Sequence, residues 1–270
     1  MLIRAGFEIA FECPAPTPML LQVHVHPDRA NDLEAPERFC INPAVTYSTY
    51  TDDFGNRCTR LLAPAGVTTL SNNLLIRDSG VQESLPWGEV QALVNNLPHQ
   101  ELLYLLGSRY CDTDRLATLA WGLFGAIAPG WPRVQAILDY THDRIQFGYE
   151  FARNDRTASE AHEERKGVCR DFAHLAITLC RCMNVPARYC TGYLGDIGVP
   201  PDPAPMDFSA WFEVFLGGHW HTLDARHNEP RIGRILMARG RDATDAAIST
   251  AFGTAKLVTF KVFTDEMPPG

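Results

Sequence analysis

Cys169 stands near the head of GVCRDFAHLAITLCRCMN, residues 167–184. A thiol in the first turn of a helix sees unpaired backbone N–H groups and the positive end of the dipole. Both favour the thiolate, which is the nucleophilic form. The same position also fits a small core residue, because free cysteine is usually buried. Asp171 shares that turn, where it complements the dipole and would raise the pKa of Cys169. Eight cysteines occur, at 13, 40, 58, 111, 169, 180, 182 and 190. Cys180 and Cys182 form a lone Cys-x-Cys with no second pair at zinc spacing, which reads as core and surface positions of one helix. His24 and His26 share a face of an alternating run. They read as an exposed polar face, with a metal pair as the alternative.

The elements that must hold Cys169 follow from pattern. Val168, Phe172, Leu175, Ala176, Leu179 and Met183 make one apolar stripe of a helix, stopped at Asn184 and Pro186. Gly167 opens it. Ahead lie a helix from Thr113 to Pro129-Gly130, another starting at Pro132, and a short one after Thr157, with Glu160 as capping-box partner. Behind come an alternating strand, 187–195, and a hairpin, 207–228, turning at Gly217-Gly218. RGRDATDAAIST reads as a charged helix-like segment with a solvated face, and KLVTFKVFT as a last strand. The first 78 residues read as short strands, broken by prolines at 14, 16, 18, 27, 36, 43 and 64.

R-x-GVCRDFAHL, the alternating strand ending in Gly-Tyr, and W-x-E-V-x-L-x-G-x-W-x-x-x-D together resemble the transglutaminase-like superfamily over roughly residues 140–264. The resemblance implies a papain-like α+β core in which a cysteine opens a helix packed on a sheet. It implies Cys169 as nucleophile and Asp224 as the residue that orients the base. That family carries histidine before Ala-Trp. Here the segment reads Ser209-Ala210-Trp211-Phe212-Glu213-Val214, so Ser209 occupies the histidine position, at the family's spacing from Asp224.

With a two-residue turn at 217–218, Asp224 falls opposite Trp211 and shares a sheet face with Ser209. His219, His221 and His227 then fall opposite Leu216, Val214 and Phe208, on the other face. His174 lies about 140° round the helix from Cys169. His162 sits in the lead-in. Each reads as structural. A serine cannot accept the thiol proton at neutral pH, and a helix end contributes only about 0.3–1 kcal/mol to the thiolate. Losing the acid that protonates a leaving amine costs about 10²–10⁴ in rate.

The expected architecture is α+β. A β-sandwich-like N-terminal domain, 1–85, precedes a papain-like transglutaminase core, 86–270. The expected function is a cysteine amide hydrolase or acyl-transferase on peptide or amide substrates, weakened at Ser209, with Cys169, Asp224 and Ser209 at the reacting end. Trp211 and Asp171 are candidate substrate contacts, and no metal or organic cofactor is needed. Two alternatives stand: a non-catalytic peptide-binding protein on the same fold, and a thiol or metal-binding protein built on Cys180, Cys182 and nearby histidines. The chain has 270 residues, 46% of them hydrophobic, and net charge −8 without a basic block. That argues against nucleic acid or an anionic membrane as partner. Glu8 and Glu12 sit where a signal peptide would be apolar, so a reducing cytoplasm is the expected compartment.

Overall fold

Alternation and proline spacing give the first part of the chain its strands. The computed structural model describes residues 1–268. β1 (Leu2–Cys13) turns Ile3, Phe7, Ile9 and Phe11 inward and Arg4, Glu8 and Glu12 outward. β2 (Thr17–Leu21), β3 (Cys40–Asn42), β4 (Tyr47–Thr51), β5 (Arg57–Ala63) and β6 (Gly66–Arg77) follow. The helices are α1 (Thr113–Phe124), α2 (Trp131–Arg144), α3 (Ala158–Glu164) and α4 (Cys169–Cys182); short strands β7 (Gln146–Phe147) and β8 (Lys166–Gly167) flank α3. The rest are β9 (Ala187–Tyr193), β10 (Ser209–Leu216), β11 (His219–Leu223), β12 (Ile235–Gly240), β13 (Ser249–Ala251) and β14 (Lys256–Glu266). The fold is α+β, as the patterns predict.

The core sheet runs β11-β10-β9-β12, all antiparallel. Phe212 faces Leu223 and Leu216 faces His219, the register set by a turn whose Gly217 and Gly218 both take positive φ. Ala210, Phe212, Val214 and Leu216 share one apolar cluster with Phe172, Leu175, Ala176 and Leu179 of α4. The alternate residues Ser209, Trp211 and Glu213 therefore look to the other face. The α4 stripe packs as its spacing predicts.

Two further sheets, β14-β1-β6-β3 and β13-β2-β5-β4, share a second cluster that includes Phe7, Met19, Leu21, Leu61 and Leu70. Tyr193, Phe208, Ile235 and Met237 from the core stretch belong to the same cluster, so apolar packing runs from one unit into the other. β13 and β14 come from the end of the chain yet pair with β2 and β1.

The structure corrects the local expectations for two segments. The run through His24 and His26 is not strand, since β2 ends at Leu21. Both histidines are buried, and His24 Nε2 meets Thr59 Oγ1 at 2.8 Å. RGRDATDAAIST is not helical: β12 reaches Gly240 and turns lead to β13. Asp242 is buried there, accepting the Tyr110 and Thr244 N–H groups at 2.8 Å each, so it is no solvated face. No helix among the described residues is long and apolar enough to cross a membrane.

Candidate active site

α4 begins at Cys169 because Asp171 fixes the turn before it. The Asp171 carboxylate accepts the Val168 N–H at 2.9 Å and Arg156 Nη1 at 2.9 Å. Arg156 is itself buried and pairs with Glu164 at 3.1 Å. Asp171 is thus enclosed and committed to the helix start, and it lines neither of the clefts at Cys169. The residue expected at the substrate is buried in this capping role.

Cys169 is half-buried and borders two depressions. One, of about 490 Å³, is lined also by Tyr149, Asp207, Ser209, Arg226 and His227. The other, of about 560 Å³, passes Arg153, Tyr189, Asp207, Ala210 and Phe260. Burial pushes the thiol up to about 11, and the Asp207 carboxylate adds to the rise. The Arg226 guanidinium and the Ala210 N–H pull the other way. Burial thus outweighs the helix end, the reverse of what the helix terminus alone predicts.

Ser209 lies at the start of β10 opposite Gly192. It is buried, and its Oγ has no hydrogen-bond partner among the described residues, although its carbonyl accepts Thr191 Oγ1 at 3.0 Å. Ser209 and Cys169 share the first cleft. Trp211 is buried, lies 5.0 Å beneath the Arg234 guanidinium, and lines a separate depression with Glu83 and Glu213. Neither cleft at Cys169 includes Trp211, the expected substrate contact.

Asp224 is not on a strand. β11 ends at Leu223, and residues 224–228 form a turn built on the Asp224 side chain. Its Oδ1 accepts the Arg226 and His227 N–H groups at 2.9 and 3.1 Å. Its Oδ2 accepts His227 Nδ1 at 2.9 Å and Arg234 Nη2 at 2.8 Å. Arg234 and His227 hold the Asp224 carboxyl far below the ordinary carboxylate range, against its burial. The expectation that His227 faces away fails because strand alternation stops one residue before Asp224.

Three cleft residues lie outside the set expected from sequence. Asp207, two residues before Ser209, lines both depressions, and burial pushes its carboxyl up. Arg226 stacks 3.6 Å over Phe147 and favours the Cys169 thiolate. His227 is the third, read from the sequence as structural. A legible signal exists for it: an aspartate at a strand's end favours a turn that folds back on its carboxylate. His174, five residues after Cys169, is buried between Tyr110 and Tyr189 with ring centroids 5.0 and 5.1 Å away.

Residues 122–225 match the family described as the Transglutaminase-like superfamily. An uncharacterized protein of Mycobacterium leprae is 34% identical over 90 residues, 33% of this chain and 32% of that one. Another, of Mycobacterium bovis, is 30% identical over 130 residues, 43% and 41% of the two chains. The chain thus spans 32% to 41% of the length of these curated relatives. A crystal structure from Cytophaga hutchinsonii, assigned provisionally as a cysteine protease, superposes over 100% of this chain and 92% of its own. Its TM-score is 0.85 at 29% identity.

Proposed function

From a core that belongs to the transglutaminase-like superfamily, we propose that the protein is a cysteine-nucleophile amide hydrolase or acyl-transferase acting on peptide or amide substrates. One observation carries this reading: the Cys169 thiol stands at the start of α4, between two open clefts, and borders both. A chain laid across the thiol has room on either side of the bond to be attacked. The Sγ adds to the substrate carbonyl carbon, the amine leaves, and the thioester passes its acyl group to water or to a second amine. The provisional cysteine-protease assignment of the Cytophaga hutchinsonii protein points the same way.

A second reading, a peptide-binding protein without turnover, is favoured by one specific observation. Ser209 cannot take the thiol proton, and the thiol is pushed up to about 11. At pH 7 an isolated thiol of that kind is about 10⁻⁴ ionised. The two readings part on an acylation test. An activated peptide ester incubated with the protein should leave its acyl group on Cys169, found by mass spectrometry, and Cys169→Ala should abolish it. Peptide binding with no acyl adduct would leave the second reading in place.

A further inference from the structure

Resting on Cys169 as the nucleophile, we propose that His227, in the turn after β11, is the general base and acid of this site. Asp224 orients it. His227 would then do from a turn what the family assigns to the strand position held here by Ser209.

His227 and Cys169 line the same cleft, together with Ser209. The ring is one-fifth exposed, open enough to reach a substrate and enclosed enough to be held. Asp224 supplies the tautomer. Its carboxylate is ionised, so the Nδ1 it touches at 2.9 Å must be the N–H donor. In a neutral imidazole the other nitrogen, Nε2, then carries the free lone pair. That is the atom a base needs.

The turn is also rigid. Asn228 N–H donates to the Asp224 carbonyl at 2.8 Å, and Asn228 takes a left-handed φ of 51°. α2 pins the turn from outside: His142 Nδ1 meets the Arg226 carbonyl at 2.9 Å, and Asn228 Nδ2 donates to Asp139 at 2.8 Å. Behind Asp224, Arg234 bridges to Glu83 at 2.6 Å. A base that moved off the strand would need such support, and it is present. The ring pairs with Asp224, which also holds Arg234, and the other charged and titratable groups that line this cleft with it are Tyr149, Asp196, Asp202, Asp207, Arg226, Arg231, Asp265 and Glu266.

The step balances. The Cys169 S–H proton passes to His227 Nε2, giving thiolate and imidazolium. The S–C bond forms, the imidazolium gives its proton to the departing nitrogen, and the C–N bond breaks. Water or an amine then attacks the thioester while Nε2 accepts its proton, and the released thiolate takes that proton back.

The test measures the rate of Cys169 carboxamidomethylation by mass spectrometry from about pH 5 to about pH 10, a span that brackets the ordinary titration of histidine and cysteine. The proteins are the unaltered chain, His227→Ala and His227→Gln. The expected result at pH 7 is a rate at least about tenfold lower in both variants, with partial recovery of His227→Ala in added imidazole. Should the variants not fold by circular dichroism, diethyl pyrocarbonate on the unaltered protein replaces them. Modification mapped to His227 should slow Cys169 labelling, and hydroxylamine should reverse it. Fast Cys169 labelling without a functional His227 overturns the base assignment and leaves the nucleophile standing. Labelling of Cys169 no faster than the exposed Cys40 in the unaltered protein overturns both.

Discussion

His227 Nδ1 and Asp224 Oδ2 meet at 2.9 Å within a single turn, and the same oxygen receives Arg234 at 2.8 Å. Asp224 therefore serves two partners that come from different parts of the fold. One faces the cleft and the other is buried beneath it.

Arg234 is the test of that arrangement. Its side chain and that of Asp224 are both nearly inaccessible, at 6% and 2% exposure. Arg234→Met would leave two carboxylates, Asp224 and Glu83, without their guanidinium. The expected cost is about 3–5 kcal/mol of unfolding free energy, read from urea melts. A loss below about 1 kcal/mol would mean that water already screens the pair.

Acid should destabilise the fold through its buried histidines. Burial lowers His174 to about 3, and burial with Arg239 lowers His26 to about 4. His174 Nε2 accepts the Ala243 N–H at 3.2 Å, which requires the neutral ring. Below the unfolded pKa of about 6.5 the unfolded chain binds protons that the native state refuses. Stability is therefore full above that value and falls with pH, by about 1.4 kcal/mol per unit for each such histidine. Urea melts at several pH values between about 7 and about 4.5 should show the slope, and His174→Gln should reduce it. An unchanged slope would mean that His174 is protonated in the native state.

Native-state thiol labelling should sort the cysteines by access. Cys111, Cys180 and Cys190 are buried with thiols raised by burial, so they should resist iodoacetamide until the protein unfolds. Cys40 is exposed and should react, and Cys169 should be the one cysteine that also takes an acyl group from a peptide ester. Acylation at Cys40 to the same extent would assign the reaction to exposure.

The start of α4 depends on a missing side chain. A Cβ at Gly167 would lie 2.6 Å from Asp171 Oδ2 and 2.7 Å from its Cβ. Gly167→Ala must displace Asp171 from Val168 and Arg156. The expected loss is about 1–3 kcal/mol by thermal melt, with a changed labelling rate at Cys169. An unaffected Cys169 would show that the helix end holds its place without that contact.

Much of this was legible in the residues. The stripe from Val168 to Met183 foretold α4 and put Cys169 in its first turn, because a helix period is local. Gly217-Gly218 foretold the hairpin register for the same reason. Ser209 was legible as a departure through the family pattern. What stayed hidden depends on partners distant in sequence. Asp171 is enclosed by Arg156, and Trp211 is covered by Arg234. Strand alternation ends at Leu223, where the Asp224 side chain captures the backbone and turns the chain. That single boundary decides which way His227 faces.

β1 lies between β6 and β14, with Ile3 opposite both Ile76 and Glu266. One neighbour emerges from the ribosome early, and the other only after the whole thiol-bearing core has been made. Until then one edge of β1 carries unpaired backbone groups, and so does β2 while it awaits β13. The N-terminal unit therefore cannot close during synthesis ahead of the core. A nascent chain halted before residue 256 would expose a long strand edge of unpaired backbone groups to its neighbours on the same polysome.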